Sequence, residues 1–430
     1  MRKFLKSLPV IVAFGACAAL SVTSAPAGTL KTLYSFCSQA GCSDGSAPSS
    51  TLLAGPAGNL FGATDSGGSH SFGTIFELVP QLDGSWTHDI LYNFCPAAQC
   101  ADGAFPGGRL IRDAGGNLYG VATSGGAASW GVVFELSPGG SSWTYSVLHS
   151  FAGTDGGVPS GGLTYAGFDD GQSYDGTSPL YGVTGQNGLA LAGTAYQMTL
   201  SGGSWSLAPI YDFSSAGSPG QNPWAPLMMD DAGHLYGTLL HNYGAVFELA
   251  NSGGSWSIST LHAFSPTGGD HTYYPLSGLL QNSSGTLFGS VSFDGPYCTY
   301  KRHYGYKRCG GAIYKLSARH GADWKYVSLY DFCASGKHCT DGSGPVGQMV
   351  MDETGNLYGV TSSGGANGKG TVFRVTPGGR ISVLYSFCSL ANCGDGAAPI
   401  GLTRLGTGQL VGMTQQGGTG AHGTVFEFIP

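Results

Sequence analysis

Leu91-Tyr92-Asn93-Phe94, Asp102-Gly103-Ala104-Phe105-Pro106, Leu110-Ile111, Asn117-Leu118-Tyr119-Gly120, Ser124-Gly125-Gly126 and Val133-Phe134-Glu135-Leu136, followed by the run Trp143 to Phe151, form one unit of a pattern that recurs after residue 30. Segments of the type Leu-Tyr-x-Phe begin at Leu33, Leu91, Leu148, Ile210, Leu261, Leu329 and Leu384, which is seven copies at a mean spacing of about 58 residues. Within each copy, short runs of alternating Val, Phe, Tyr and Trp are bounded by Gly, Asn and Asp turns, and nothing has helical period. Four short antiparallel strands per copy predict an all-β, seven-bladed β-propeller. The last copy stops at Phe426-Glu427-Phe428, before its Trp-led strand, and Leu30 to Phe36 resembles the missing strand. The N-terminal strand is therefore expected to complete the last blade and leave no open sheet end.

Composition agrees. The 75 glycines keep no three-residue period, which excludes collagen, and 41% hydrophobic with 12% aromatic residues excludes a disordered chain. Basic Met1 to Lys6 precedes apolar Leu8 to Val22 and Ala25-Pro26-Ala27, which predicts a secretory signal over 1–27 and a propeller over 28–430. Lipid attachment at Cys17 is less favoured, because Phe14 is unusual at that position of a lipobox. No other apolar run is long enough to span a membrane. Losing Arg2, Lys3 and Lys6 takes the formal charge from −7 to −10, which argues against nucleic acid and anionic membranes as partners. We expect a secreted monomer in the extracellular or periplasmic space.

The stretch Leu357 to Gly365, Leu-Tyr-Gly-Val-Thr-Ser-Ser-Gly-Gly, followed by Gly370-Thr371-Val372-Phe373, resembles the Gloeo/Verruco tandem repeat of the GloVer-type, "choice-of-anchor" secreted bacterial proteins. The resemblance covers essentially the whole chain after the signal. It implies no activity and brings no catalytic residues. Many such proteins end in an anchoring segment, and the absence of one before Pro430 favours release.

Ten cysteines follow the signal as five close pairs, Cys37-Cys42, Cys95-Cys100, Cys298-Cys309, Cys333-Cys339 and Cys388-Cys393, which predict local disulfides in an oxidising compartment. Their spacing lacks the Cys-x-x-Cys and His companions of zinc sites. The Asp of each Asp-Gly turn is a turn former before it is a ligand, so calcium is a minor structural alternative and no cofactor or metal is expected. Glu77, Glu135, Glu248 and Glu427 share one strand position in different blades, too far apart for paired-carboxylate glycoside hydrolysis. No nucleophile elbow, phosphate loop or His-Glu-x-x-His motif is present.

The Ser-Gly-Gly and Asp-Gly loops share one face of the ring, and the repeat breaks there in blades 4 and 5. Blade 4 has Gln221-Asn222-Pro223-Trp224 and Leu240-His241-Asn242-Tyr243; blade 5 has Asp270-His271-Thr272-Tyr273-Tyr274 and the insert Tyr297 to Gly310. The insert carries Lys301, Arg302, Lys307 and Arg308 among His303, Tyr304 and Tyr306. Arg grips carboxylates with two hydrogen bonds, and Trp and Tyr offer flat faces to sugar rings. We therefore expect an extracellular, anionic polysaccharide to bind through Trp224, Asn242, Tyr243, Tyr273, Tyr274, Lys301, His303 and Tyr306. A catalytic alternative is a polysaccharide lyase acting by β-elimination, with His241 and His271 in acid-base roles beside Arg302 and Tyr304. A third is a structural or adhesive propeller that grips another protein with its whole face. Trp224 and Trp130 stand outside the repeated Trp register of Trp86, Trp143, Trp205, Trp256 and Trp324, which is read as blade packing. The blade 3 insert Phe168 to Ser178, on the opposite face, is read as a solvated loop.

Overall fold

The computed structural model describes residues 28–430 except 97, 141, 170, 215–219, 242, 266–273, 293–309, 320–322 and 334–338. Seven antiparallel sheets form a β-propeller, with no α-helix among the described residues. Blade 2 is representative: Ala104–Arg112, Leu118–Ser124, Val132–Gly139 and Ser142–Ser150 run in order from the axis to the perimeter. Blade 7 consists of Ala397–Arg404, Leu410–Gln416 and Thr424–Ile429, closed by Thr29–Ser35. Leu30 pairs with Phe428 and Tyr34 with Val425, so the two ends of the chain share one sheet as the sequence predicts.

The third strand decides how each blade packs. Val132, Val133, Phe134 and Leu136 are fully buried while Glu135 is not. Phe134 pairs with Gly120 of the second strand, where an added Cβ would sit 2.6 Å from the ring. The Gly of Leu-Tyr-Gly therefore makes room for the Phe of Val-Phe-Glu, and the same pair recurs as Gly62 with Phe76, Gly237 with Phe247, Gly359 with Phe373 and Gly412 with Phe426. Hydrophobic burial is divided among the blade-to-blade seams. Phe61 and Ile75 of blade 1 pack on Leu110, Leu118 and Phe134 of blade 2, and Leu60 and Phe76 of blade 1 on Val411 and Val425 of blade 7. Each buried Phe contributes about 1.5 to 3 kcal/mol.

One backbone hydrogen bond repeats around the ring. The residue before the Pro of each leading loop is left-handed, at φ 51° to 67°: Ala47, Phe105, Val158, Asn222, Tyr274, Gly344 and Ala398. Its N–H donates to the preceding blade, to the carbonyls of His422, Phe72, Trp130, Ala192, Tyr243, Gly310 and Lys369 respectively, at 2.8 to 3.4 Å. The proline that follows packs on a glycine of that preceding blade, where a Cβ would come within 2.4 to 2.9 Å of its Cδ. The Asp-Gly-x-x-Pro and Gly-Thr-Val-Phe motifs are thus the two halves of one seam.

Candidate functional site

The seam bonds lie on the face that carries the Ser-Gly-Gly loops, so the side chains that flank them are presented there. Beneath that face the Asp of Asp-Gly is occupied internally. Asp395 accepts from the Tyr385 hydroxyl at 2.7 Å, the Ser389 N–H and hydroxyl at 2.9 Å, and the Leu390 N–H at 3.1 Å. Asp44 repeats this with Tyr34, Ser38 and Gln39. Burial pushes both carboxyls up, but the converging donors outweigh it and hold them below the ordinary Asp value. The Tyr of Leu-Tyr-x-Phe is the donor that clamps this Asp.

Four disulfides are described: Cys37–Cys42, Cys95–Cys100, Cys333–Cys339 and Cys388–Cys393. The carbonyls of Cys42, Cys100, Cys339 and Cys393 accept from Gly68, Gly126, Gly365 and Gly418, so each disulfide loop fixes the Ser-Gly-Gly loop of its own blade. These bonds suit an oxidising environment. The pair Cys298-Cys309 lies outside the described residues. Cys37, Cys42 and His422 converge, but two of the three are joined as a disulfide and offer no thiolate to a metal.

Of the expected binding residues, Trp224, Tyr243 and Tyr274 are described, together with His241. Asn242, His271, Tyr273, Lys301, Arg302, His303, Tyr304 and Tyr306 lie outside the described residues. Of the four described ones, Tyr243 and Tyr274 meet at the junction of blades 4 and 5, while Trp224 lies at the junction of blades 3 and 4. The His241 N–H donates to Gln221 at 3.3 Å, one residue before left-handed Asn222, which leads into Pro223 and Trp224. Tyr243 and Tyr274 are the acceptor and donor of the seam bond between blades 4 and 5. Trp224, Tyr243 and Tyr274 are 40%, 50% and 47% exposed, unlike the Trp residues that pack blades.

The exposed surface reaches further than blades 4 and 5. Trp130 is 37% exposed at the seam between blades 2 and 3, where its ring rests against Gly153 and Gly157. Leu189 and Leu191, in the Ser-Gly-Gly position of blade 3, are 78% and 77% exposed, and the Trp224 ring lies against Gly185 of the same blade. An exposed aromatic and apolar arc therefore runs from blade 2 to blade 5. The described disulfides lie in the leading loops of blades 1, 2, 6 and 7.

Sequence reasoning missed the axis. Arg109, on the inner strand of blade 2, crosses the channel and is 6% exposed. Its Nε donates to the Leu163 carbonyl at 3.1 Å, Nη2 to that of Leu227 at 2.9 Å, and Nη1 to Gln348 Oε1 at 3.1 Å. Gln348 in turn donates to Leu279 at 2.7 Å, so the bar ties blades 2 to 6. Phe168 covers the guanidinium at 3.7 Å and Asp169 is 3.8 Å away, so the blade 3 insert closes over the axis instead of forming only a solvated loop. Burial draws the guanidinium pKa down, partly offset by Asp169 and Tyr165. The one sequence signal was a lone Arg in the run Pro106-Gly107-Gly108-Arg109-Leu110, where other blades carry Thr51, Gly162, Pro226 and Gly278.

Comparison with known proteins agrees with this frame. A family profile described as the Gloeobacter/Verrucomicrobia repeat matches residues 19–178 and 302–430. The span between these matches holds Trp224, His241, Tyr243 and Tyr274. No curated protein matches the sequence. Among solved structures, the extracellular domain of a hybrid two-component system from B. thetaiotaomicron superposes with a TM-score of 0.52 at 10% identity, over 89% of this chain and 40% of that one. This chain thus spans well under half the length of that neighbour. A protein from Bacteroides uniformis assigned as 6-phosphogluconolactonase aligns with a TM-score of 0.50 at 13% identity, over 85% of this chain and 89% of its own. At such identities the likeness is one of fold alone.

Proposed function

Since the chain belongs to the Gloeobacter/Verrucomicrobia repeat family, which supplies a frame and not an activity, we propose from the exposed face itself that the protein is a carbohydrate-binding propeller for an extracellular, anionic polysaccharide. The observation that carries the reading is the arc of Trp130, Trp224, Tyr243 and Tyr274, each more than a third exposed on one face while the other described aromatic side chains are buried or partly buried. Flat rings held by backbone seams stack on sugar rings with little loss of side-chain freedom. The connection between Leu287–Val291 and Ala312–Ala318 begins and ends at this same face, and its sequence contains Lys301, Arg302, Lys307 and Arg308. Those cations favour a polymer with carboxylate or sulfate groups. Four described disulfides, and an N-terminal segment read as a secretory signal, support a location outside the cytoplasm.

The lyase reading assigns His241, His271, Arg302 and Tyr304 to β-elimination on the same class of polymer and differs in outcome. Both are tested by mixing the mature, oxidised protein with uronic-acid, sulfated and neutral polysaccharides, following retardation in affinity gels and the ultraviolet absorbance of unsaturated uronate. Binding to a charged polymer, reduced at least tenfold by Tyr243→Ala with Tyr274→Ala, is the expected result. Absorbance that rises with time would assign a lyase. Equal retardation of wild type and variant would reject the arc as the site.

A further inference from the structure

The Arg109–Gln348 bar divides the axial channel into two chambers that differ in charge. The wider, of about 810 Å³, opens on the hairpin face and is lined by Arg109 and Arg404 but also by Asp169, Asp352 and Glu353, with Arg404 paired to Glu353 at 2.8 Å. Three carboxylates against two guanidinium groups leave its lining net acidic. The smaller, of about 260 Å³, opens on the aromatic face beside Trp224. Among the described residues Arg109 is the single charged one of its lining, and the rest of the polar wall consists of hydroxyls and amides such as Ser49, Ser160, Gln348 and Gln415.

Arg109 is unusual in what it leaves unused. A guanidinium has five N–H groups, and three go to Leu163, Leu227 and Gln348. Asp169, at 3.8 Å, is too far for a hydrogen bond and lines the other chamber. A carboxylate descending from the aromatic face therefore meets a buried cation, two of whose N–H groups make no hydrogen bond among the described residues, before it meets any described acid. Low dielectric strengthens that contact, and a buried charge without a hydrogen-bonded counter-ion gains most from acquiring one. Trp224 lines the mouth of the same well, with its ring against Gly185 at the rim.

We propose that this axial well is a binding site of its own for a single carboxylate-bearing sugar residue, with Arg109 holding the carboxylate and Trp224 against the ring. The inference rests on the carbohydrate reading of the aromatic face for the ligand's sugar character, and on Arg109 alone for its charge. It makes the well the seat of a uronate residue, next to the arc that holds the rest of the chain.

The test is calorimetric titration of the mature protein with D-glucuronate, D-glucose and acetate. Glucuronate should bind at least tenfold more tightly than either of the others. Arg109 also ties blades together, so the informative variant is Gln348→Glu, which sets an internal carboxylate on the guanidinium and keeps the Arg109 contact while giving up the donor to Leu279. It should still unfold in one cooperative transition, at a midpoint lowered by the lost Leu279 bond, and lose glucuronate affinity at least tenfold. Unchanged glucuronate affinity in Gln348→Glu, or glucose binding as tightly as glucuronate, would overturn the proposal, and acetate matching glucuronate would overturn the sugar assignment. Polymer retardation measured on the same proteins separates the two readings: glucuronate binding without polymer binding would sink the arc and leave the well.

Discussion

His88 offers a quantitative check on the perimeter packing. It lies on the outer strand of blade 1, stacked on Tyr34 at 4.2 Å and against Phe76 at 5.3 Å, with Nε2 buried and unpaired. Burial pushes its pKa down from 6.5 to about 4, against a smaller opposing pull from Asp44 and Asp89. The unfolded chain then binds a proton that the folded chain refuses, so stability falls with pH through the window from 6.5 to 4. At pH 5 this linkage costs about 2 kcal/mol relative to pH 7.5, and at pH 4 about 3 kcal/mol. In blade 2 the same position holds Tyr145, stacked on Tyr92 at 4.0 Å with its hydroxyl on the Asp102 carbonyl. His88→Tyr should therefore copy an arrangement the protein already contains while removing the titration. Urea unfolding of both proteins at pH 7.5 and 5 isolates the term, because every carboxylate is common to the two. Wild type should lose about 2 kcal/mol more than the variant on acidification. Parallel losses would refute the burial argument.

Three further outcomes follow from the same geometry. Asp395→Asn turns an amide toward buried donors, and should cost about 2 to 4 kcal/mol at pH 7. Because the native carboxyl is held below its ordinary value, that difference should be complete above pH 5 and shrink as pH falls through the native pKa, measured by denaturant titration. Gly120→Ala should destabilise by about 1 to 3 kcal/mol, since its Cβ meets the Phe134 ring, and Phe134→Leu should relieve part of that cost in a double-mutant cycle. Deleting residues 1–35 should leave the edge of Thr424–Ile429 unpaired and yield dimers or aggregates in sedimentation, whereas a monodisperse monomer would contradict the closure.

The blades were legible because every seam repeats the same few requirements. A Gly beside a Phe ring, a left-handed residue before Pro, and a Tyr that clamps Asp each leave a local signature, and seven copies make it visible. Ring closure was legible for the same reason, since Leu30 to Phe36 reads as the strand that Phe426 to Phe428 lacks. The exposed arc could be read only as departures from the repeat. Trp130 and Trp224 stood out of register, while Leu189 and Leu191 resembled ordinary strand residues until their exposure was seen. The Arg109–Gln348 bar was illegible because it joins residues 239 positions apart across the axis, where no local period operates. The blade 3 insert misled because Asp169, read as a solvated acid, is placed by the ring against Arg109.

Whether the aromatic arc is the glycan surface is read by hydroxyl-radical footprinting of the mature protein with and without a bound uronic-acid polymer. Trp130, Trp224, Tyr243 and Tyr274 should lose reactivity on binding while the perimeter residues Trp86 and Trp324 do not. Protection that spares the arc, or falls equally on the perimeter, would contradict it.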